Sequence, residues 1–528
     1  MRPPVWEPPV ETSPAEEKIL KRIKRAKLFV FLRHHRHEIF TEAFQQELAR
    51  MYTDQPTGHP PVFPALLALA TIVQAYTGVS DDEGIEAMWM DRRWQLVLDC
   101  LESEQVPFSK GTLVAFRARL IATQMDRRLV ERTIEIAKAS GGFGATALRA
   151  ALDSSPLWGA ARVEDTYNLL GHALRKALGV IARQQGRELA HLAREAEAEV
   201  VARSSLKAAL DLDWDDPAAR TQALVQILMA LDGVEAWVER HPEVVEQKEV
   251  KAKVRACLEA ARQVVAQDVT SGPGGEPTLI KGVAKDRRIS IEDEQMRHGR
   301  KSRSVRFDGY KRHVLRDLET GLIPAVGVTP ANVPEASVTP AIQQDIEHQQ
   351  IRLGQLHIDR AYLSSSLVRD RDEHVTIHCK AWPVRRGPLF SKNAFTIDWE
   401  REVMSCPNQV EMPVKLGGVV QFPAKTCAEC PLKQHCTTSA HGRSVTVHEQ
   451  EKLLRELRVE QSSRQGRATL RARVGVEHSL AHIGHWQGDR ARYRSTRKNL
   501  FDLRRCAVVE NLHILARTPA LMAQAANS

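Results

Sequence analysis

The sequence predicts an α/β protein: a mixed sheet flanked by helices, preceded by an all-α region and broken by two insertions. Three observations carry this. Residues 310–318 and 322–329 read as two strands joined by Glu319, Thr320 and Gly321, where glycine supplies the positive φ such a turn needs. Two short apolar runs, 147–152 and 356–358, each close on an aspartate, Asp153 and Asp359. Between the first of these and the strand pair, residues 166–267 are almost all helix formers.

Taken in order, the chain of 528 residues is longer than the roughly 250–300 that one core serves, so two to four domains are expected. Residues 1–14 are proline-rich and read as a disordered start. Residues 16–40 read as one basic amphipathic helix with KRIKRAK and RHHRH on a solvated face. A buried helix over 63–76 follows. Ser80 then caps a helix with Glu83 completing the capping box, and Ser109 caps another through Gln124. The break at Gly141 and Gly142 closes an all-α domain over 15–142. The α/β core takes 143–165 and 278–385, interrupted by a helical insertion and linker over 166–277. There Asp215 or Asp216 caps a helix with Pro217 in its first turn, and SGPGGEP at 271–277 is a linker. The strand over 322–329 is nearly all apolar, as expected of a strand in the middle of a sheet, and 374–382 reads as a fifth strand. A cysteine-rich insertion occupies 386–449 and terminal helices occupy 450–528. Among these, 471–483 reads as one helix carrying Arg473 and Glu477 four apart on one face.

Lysine and arginine number 75 against 66 acids, a net charge of +9 that favours a polyanion partner. The cations concentrate in two places. One is the run Lys281, Lys285, Arg287, Arg288, Arg297, Arg300, Lys301, Arg303 and Arg306, which feeds into Lys311 and Arg312. The other surrounds Glu477: Arg464, Arg467, Arg471, Arg473, Arg490, Arg492, Arg494, Arg497 and Lys498. Phosphate contacts are expected from Arg297, Arg300, Lys301, Arg303, Lys311, Arg312, Arg473, Arg490 and Arg492. No apolar run approaches the about 18 residues of a membrane span, and 1–14 is no signal peptide, so a cytoplasmic protein is expected.

Of eight cysteines, Cys406, Cys427, Cys430 and Cys436 are spaced C-x20-C-x2-C-x5-C. Four thiolates at such spacing suit a structural zinc site; an iron–sulfur cluster or unliganded thiols are the alternatives, and His435 or His441 can replace one ligand. Cys100, Cys257, Cys379 and Cys506 lie in apolar contexts and read as core.

The order Asp153, strand pair, Asp359, helix with Glu477 is that of the RNase H-like fold. Singly, each residue has a structural reading: Asp153 or Asp359 forms a turn, and Glu477 pairs with Arg473. At these residues the chain resembles the DDE transposases of bacterial insertion sequences, most closely the insertion-sequence-1182 group. The similar segments are the helical block 61–120, LDSSPLWGAARVEDT around Asp153, RHGRKS with FDGYKRH, VTPANVPE, HIDRAYLS around Asp359, the cysteine cluster, and RARVGVEHSLAHIG around Glu477.

The resemblance implies a DNA-cleaving and strand-joining enzyme acting on the ends of its own element and on target DNA. It implies Asp153, Asp359 and Glu477 as ligands of two Mg²⁺ ions, with Mn²⁺ able to substitute. It also implies an end-binding, dimerising N-terminal domain, a homodimer with no membrane association, and residence at the bacterial nucleoid. Related transposases carry a Tyr, Arg, Glu, Lys signature. Arg473 and Glu477 match it, while Leu470 and Gly484 stand at the Tyr and Lys positions, with Arg490 or Arg492 as stand-ins. Some relatives form a DNA hairpin with a flipped base on an aromatic ring, a role open to Trp382 or Trp399, although core packing is the competing role for both. An RNase H-like nuclease without strand transfer and a catalytically silent zinc-bearing DNA-binding protein are the rival functions.

Overall fold

The computed structural model describes residues 2–54, 60–203, 206–302, 304–384 and 386–518. The basic N-terminal segment forms two helices, Pro14–Arg22 and α1 (Lys27–Ile39), rather than one over 16–40. Ile23 leaves the helix with extended backbone and is buried. Nor is the face of α1 solvated throughout. Arg33 and Arg36 are buried, Arg33 on Glu16 and the Val10 and Glu11 carbonyls, Arg36 on the Leu96 and Val97 carbonyls and Asp99. A charge run looks solvated in sequence because its partners lie far along the chain.

Helix α2 (Pro64–Thr77) is apolar almost all round and correspondingly buried. Ser80 with Glu83 forms the capping box of the next helix, and Ser109 caps the helix Lys110–Ala122. These helices do not enclose a separate interior. Their buried side chains belong to one apolar cluster that also takes in the sheet and the terminal helices.

Strand β1 (Leu148–Trp158) begins the sheet and runs past Asp153 to Trp158, so Asp153 lies mid-strand. The helical insertion then folds about its own apolar core, built mainly from α3 (Thr166–Gln185) and α4 (Lys248–Asp268) with the helix Pro217–Arg240, which Asp216 caps. The expected linker is the turn of a small hairpin, Val269–Ser271 against Pro277–Leu279.

The sheet is completed by β2 (Arg297–Arg300), β3 (Arg306–Asp317), β4 (Ala325–Pro330), β5 (Leu353–Ile358) and β6 (Thr376–Cys379). Its order is β2-β3-β1-β5-β6, with β4 also on β3; β1 pairs antiparallel with β3 and parallel with β5. The sheet is therefore mixed and flanked by helices. The hairpin β3–β4 forms about Gly321, whose φ is +86°. However, β4 is an edge strand and not a central one. Its apolar residues are buried because α5 (Thr339–His348) and the last helix pack on it.

After β6 the second insertion forms a three-stranded and a two-stranded sheet around Phe395, Met404, Val420, Phe422, Val445 and Val447. The helix expected over 471–483 is two: α6 (Arg464–Arg471) and α7 (Val474–Gln487), separated at Ala472 and Arg473. The break lets α6 contact β6 while α7 crosses β1 and β3. Helix α8 (Thr496–Arg517) is buried along most of its length between the N-terminal helices and β4.

Candidate active site

Asp153 and Asp359 are brought together by strand register. Leu152 of β1 stands opposite Ile358 of β5, and β5 ends there, so the next residue on each strand is an aspartate. Asp359 is exposed and accepts a hydrogen bond from the Arg360 amide at 2.7 Å, capping a short turn. Asp153 accepts from the Ser154 amide at 2.8 Å. Glu477 reaches the same place from the first turn of α7.

Asp153 senses the other two carboxylates. Burial pushes the Asp153 carboxyl up, Arg473 and the Ser154 amide oppose this, and Asp359 and Glu477 push it further up; the net direction is upward. Arg473 lies among them, donating to Asp153 Oδ2 and, at 3.0 Å, to Glu477 Oε1. The donor set is all oxygen, which suits Mg²⁺. Among the described residues, however, no group of three or more His, Cys, Asp or Glu side chains is arranged to hold a metal ion. The positive charge the cluster calls for is supplied here by Arg473.

The expected phosphate-binding residues divide. Arg300, Lys301 and Arg490 are exposed. Arg297 is buried, on Asp286 and the Met296 carbonyl, and Lys311 is buried on the Val333 carbonyl and Glu335. Both are correspondingly withdrawn from a phosphate, since a buried cation needs a partner within the protein. Arg492 is exposed but donates to the Gly78 and Val79 carbonyls. Arg303 lies outside the described residues. Arg312 is buried, donating to Ser155 Oγ, Gln487 Oε1 and the Gly488 carbonyl. Its guanidinium lies over Gly484, where an added Cβ would meet Nη2 at 3.1 Å. The guanidinium beside Gly484 is therefore that of Arg312 on β3.

A groove of about 720 Å³ opens beside the carboxylates, lined by Ser154, Trp158, Lys301, Phe307, Arg312 and Glu477 among others. Sequence reasoning missed Trp158, whose only signal was its place in LDSSPLW, five residues past Asp153. Of the other tryptophans considered, Trp382 is exposed near His448 and Trp399 is half-buried.

Cys406, Cys427, Cys430 and Cys436 all line one small cavity of about 30 Å³. Burial and the neighbouring Cys430 and Cys406 push the Cys427 thiol up. The four thiols gather, yet they too are not arranged as a metal site.

Residues 405–516 match the family model described as a transposase DDE domain, and residues 17–119 match a transposase domain (DUF772). Both matches support an insertion-sequence transposase. The first covers Glu477, Arg473 and the four clustered cysteines, while Asp153 and Asp359 lie before it. No curated protein and no solved structure matches the chain. A DDE transposase domain fits an RNase H-like reading of the mixed sheet and implies a DNA-cleaving enzyme that uses a divalent metal. No helix among the described residues is long and apolar enough to cross a membrane.

Proposed function

We propose that the chain is a transposase similar to the insertion-sequence-1182 group, which binds the ends of its own element, cleaves DNA and joins the 3′ ends to target DNA. The observation that carries this reading is the gathering of Asp153, Asp359 and Glu477 from two adjacent parallel strands and one helix around Arg473. Those carboxylates are the residues that would hold Mg²⁺, or Mn²⁺ in its place. Bound there, the metal would supply activation of the attacking oxygen and stabilisation of the leaving one.

The chain's own part is positioning. Asp153 and Asp359 are fixed by the β1–β5 register and Glu477 by the seat of α7 on the sheet. Arg473, held between Asp153 and Glu477, would face the scissile phosphate, with exposed Arg300, Lys301 and Arg490 contacting phosphates further out. A homodimer would cut paired ends together, and the four cysteines would hold a structural zinc, a reading supported by their gathering about one cavity.

The test is purified full-length protein with labelled DNA from either side of the open reading frame and Mg²⁺, followed for nicking and strand transfer. Asp153→Asn, Asp359→Asn and Glu477→Gln should each abolish cleavage and leave end binding in place. A variant that cleaves like the wild type removes that residue from the site. Nicking without joining would select the nuclease reading, and binding with no cleavage by the wild type would select the silent DNA-binding protein.

A further inference from the structure

Trp158 combines two properties that seldom occur together. Its indole is 41% exposed, although tryptophan is on average highly buried. Its backbone, by contrast, is held on both sides. It pairs with Gly309 of β3, donates its amide to the Asp489 carbonyl at 2.8 Å, and accepts from the Ala491 amide at 2.6 Å. Gly309, at φ +151°, allows β1 and β3 this close approach: a Cβ there would stand 2.3 Å from the Leu157 carbonyl oxygen. The ring is braced edge-to-face on buried Phe307 at 6.3 Å. An exposed aromatic on an immobilised strand, backed by a second ring, is a preorganised stacking surface.

The surroundings identify what would stack. The ring lines the same groove as exposed Lys301 and buried Arg312, and as the acids Glu477 and Asp489. An aromatic platform with an exposed cation beside it suits single-stranded nucleic acid, because every base offers a π-face and every nucleotide a phosphate. In a duplex the base faces are already stacked on each other and cannot reach an indole. At about 720 Å³ the groove falls in the size range of small-ligand sites, roughly 300–1,000 Å³, and suits a few unpaired nucleotides but not a double helix.

We propose that this groove takes the unpaired nucleotides beside the cut, with a base stacked on Trp158 and the backbone held at Lys301. The assignment rests on the transposase reading above and names a site for one form of the substrate.

The experiment uses the full chain and two labelled probes: a short duplex with a single-stranded thymidine tail, one base of which is 2-aminopurine, and the same duplex blunt-ended. The wild type should bind the tailed probe more tightly and quench the 2-aminopurine. Trp158→Ala should weaken tailed binding by roughly five- to a hundredfold, the range for one lost stack. It should also abolish quenching and leave blunt-duplex binding unchanged. Trp158→Tyr should restore most of both signals. The groove assignment is overturned if tailed and blunt binding fall together, if quenching survives in Trp158→Ala, or if the wild type shows no preference for the tail. A wild type that binds neither probe and cleaves no end DNA sinks the transposase reading as well, whereas one that cleaves normally with an indifferent Trp158 sinks only the groove.

Discussion

The guanidinium of Arg473 joins Asp153 to Glu477, with one nitrogen donating to Asp153 Oδ2 and another to Glu477 Oε1 at 3.0 Å. These residues lie 320 and four positions from Arg473 in the chain. The arginine therefore supplies locally the charge that a divalent cation would supply, and the two compete. Arg473→Ala should bind Mn²⁺ more tightly in the absence of DNA, by about tenfold, or about 1.4 kcal/mol. Titration calorimetry checks this, and unchanged or weaker affinity would show that the bridge does not oppose the metal. The same variant should lose DNA cleavage if Arg473 also meets the scissile phosphate.

Arg312 should be needed for folding as well as for the groove. Its removal leaves buried Gln487 and the half-buried Ser155 and Gly488 carbonyl without their donor, at about 1–3 kcal/mol. Arg312→Met should lower the urea midpoint accordingly. Arg312→Lys should recover little, because a single ammonium lacks the planar fork that reaches all three acceptors.

If the clustered thiols hold zinc, purified protein should contain about one zinc per chain, lost in Cys427→Ser or Cys430→Ser together with much of the insertion's stability. Elemental analysis and protease resistance of residues 386–449 report on this. A metal-free protein with a resistant insertion would show that the apolar cluster around Phe395 and Phe422 is sufficient.

Acid should destabilise the fold before the carboxylates titrate. Burial, reinforced by the nearby Lys311 ammonium on β3, pushes His313 down to about 3, and burial with Arg517 and His482 pushes His513 down to about 4. Both are lowered in the folded state, so between those values and the ordinary histidine range the unfolded chain binds more protons. Stability is then complete above about pH 6.5 and falls with decreasing pH, by about 1.4 kcal/mol per unit for each group. His313→Asn should flatten this slope. A slope unchanged in His313→Asn would mean that the imidazole does not titrate between the two states.

Local features were the legible ones. The capping box at Ser80, the Asp216 cap and the turn at Gly321 follow from neighbours in sequence, and the alternation over 310–329 specifies a hairpin. What sequence did not disclose depends on distant pairing. Lys311 and Arg297 looked like phosphate ligands until Glu335 and Asp286 were seen beside them. Asp153 looked like a strand end because the polar residues after it break the apolar pattern, yet the long partner β3 carries β1 on to Trp158. Helix α7 starts one residue past Arg473 because α6 and α7 rest on different strands, a tertiary choice that leaves helix propensity unchanged. For the site, sequence order nominated Asp153, Asp359 and Glu477, and only the β1–β5 register shows the two aspartates side by side.

The burial of α8 has a bearing on how the molecule is made. Arg497 grips Asp126, Arg505 bonds Gln74, and Asn511 ties Thr133 to the Ile323 backbone, so one helix fastens the N-terminal helices to the sheet. Among the described residues it is the last contributor to that shared interior to leave the ribosome. Until then α2 has no partner for much of its apolar surface, and β4 is packed by α5 without α8. A nascent or prematurely terminated chain that lacks α8 therefore exposes apolar surface that the finished fold buries. Copies of the gene broken upstream of that helix should yield no folded competitor for the intact protein.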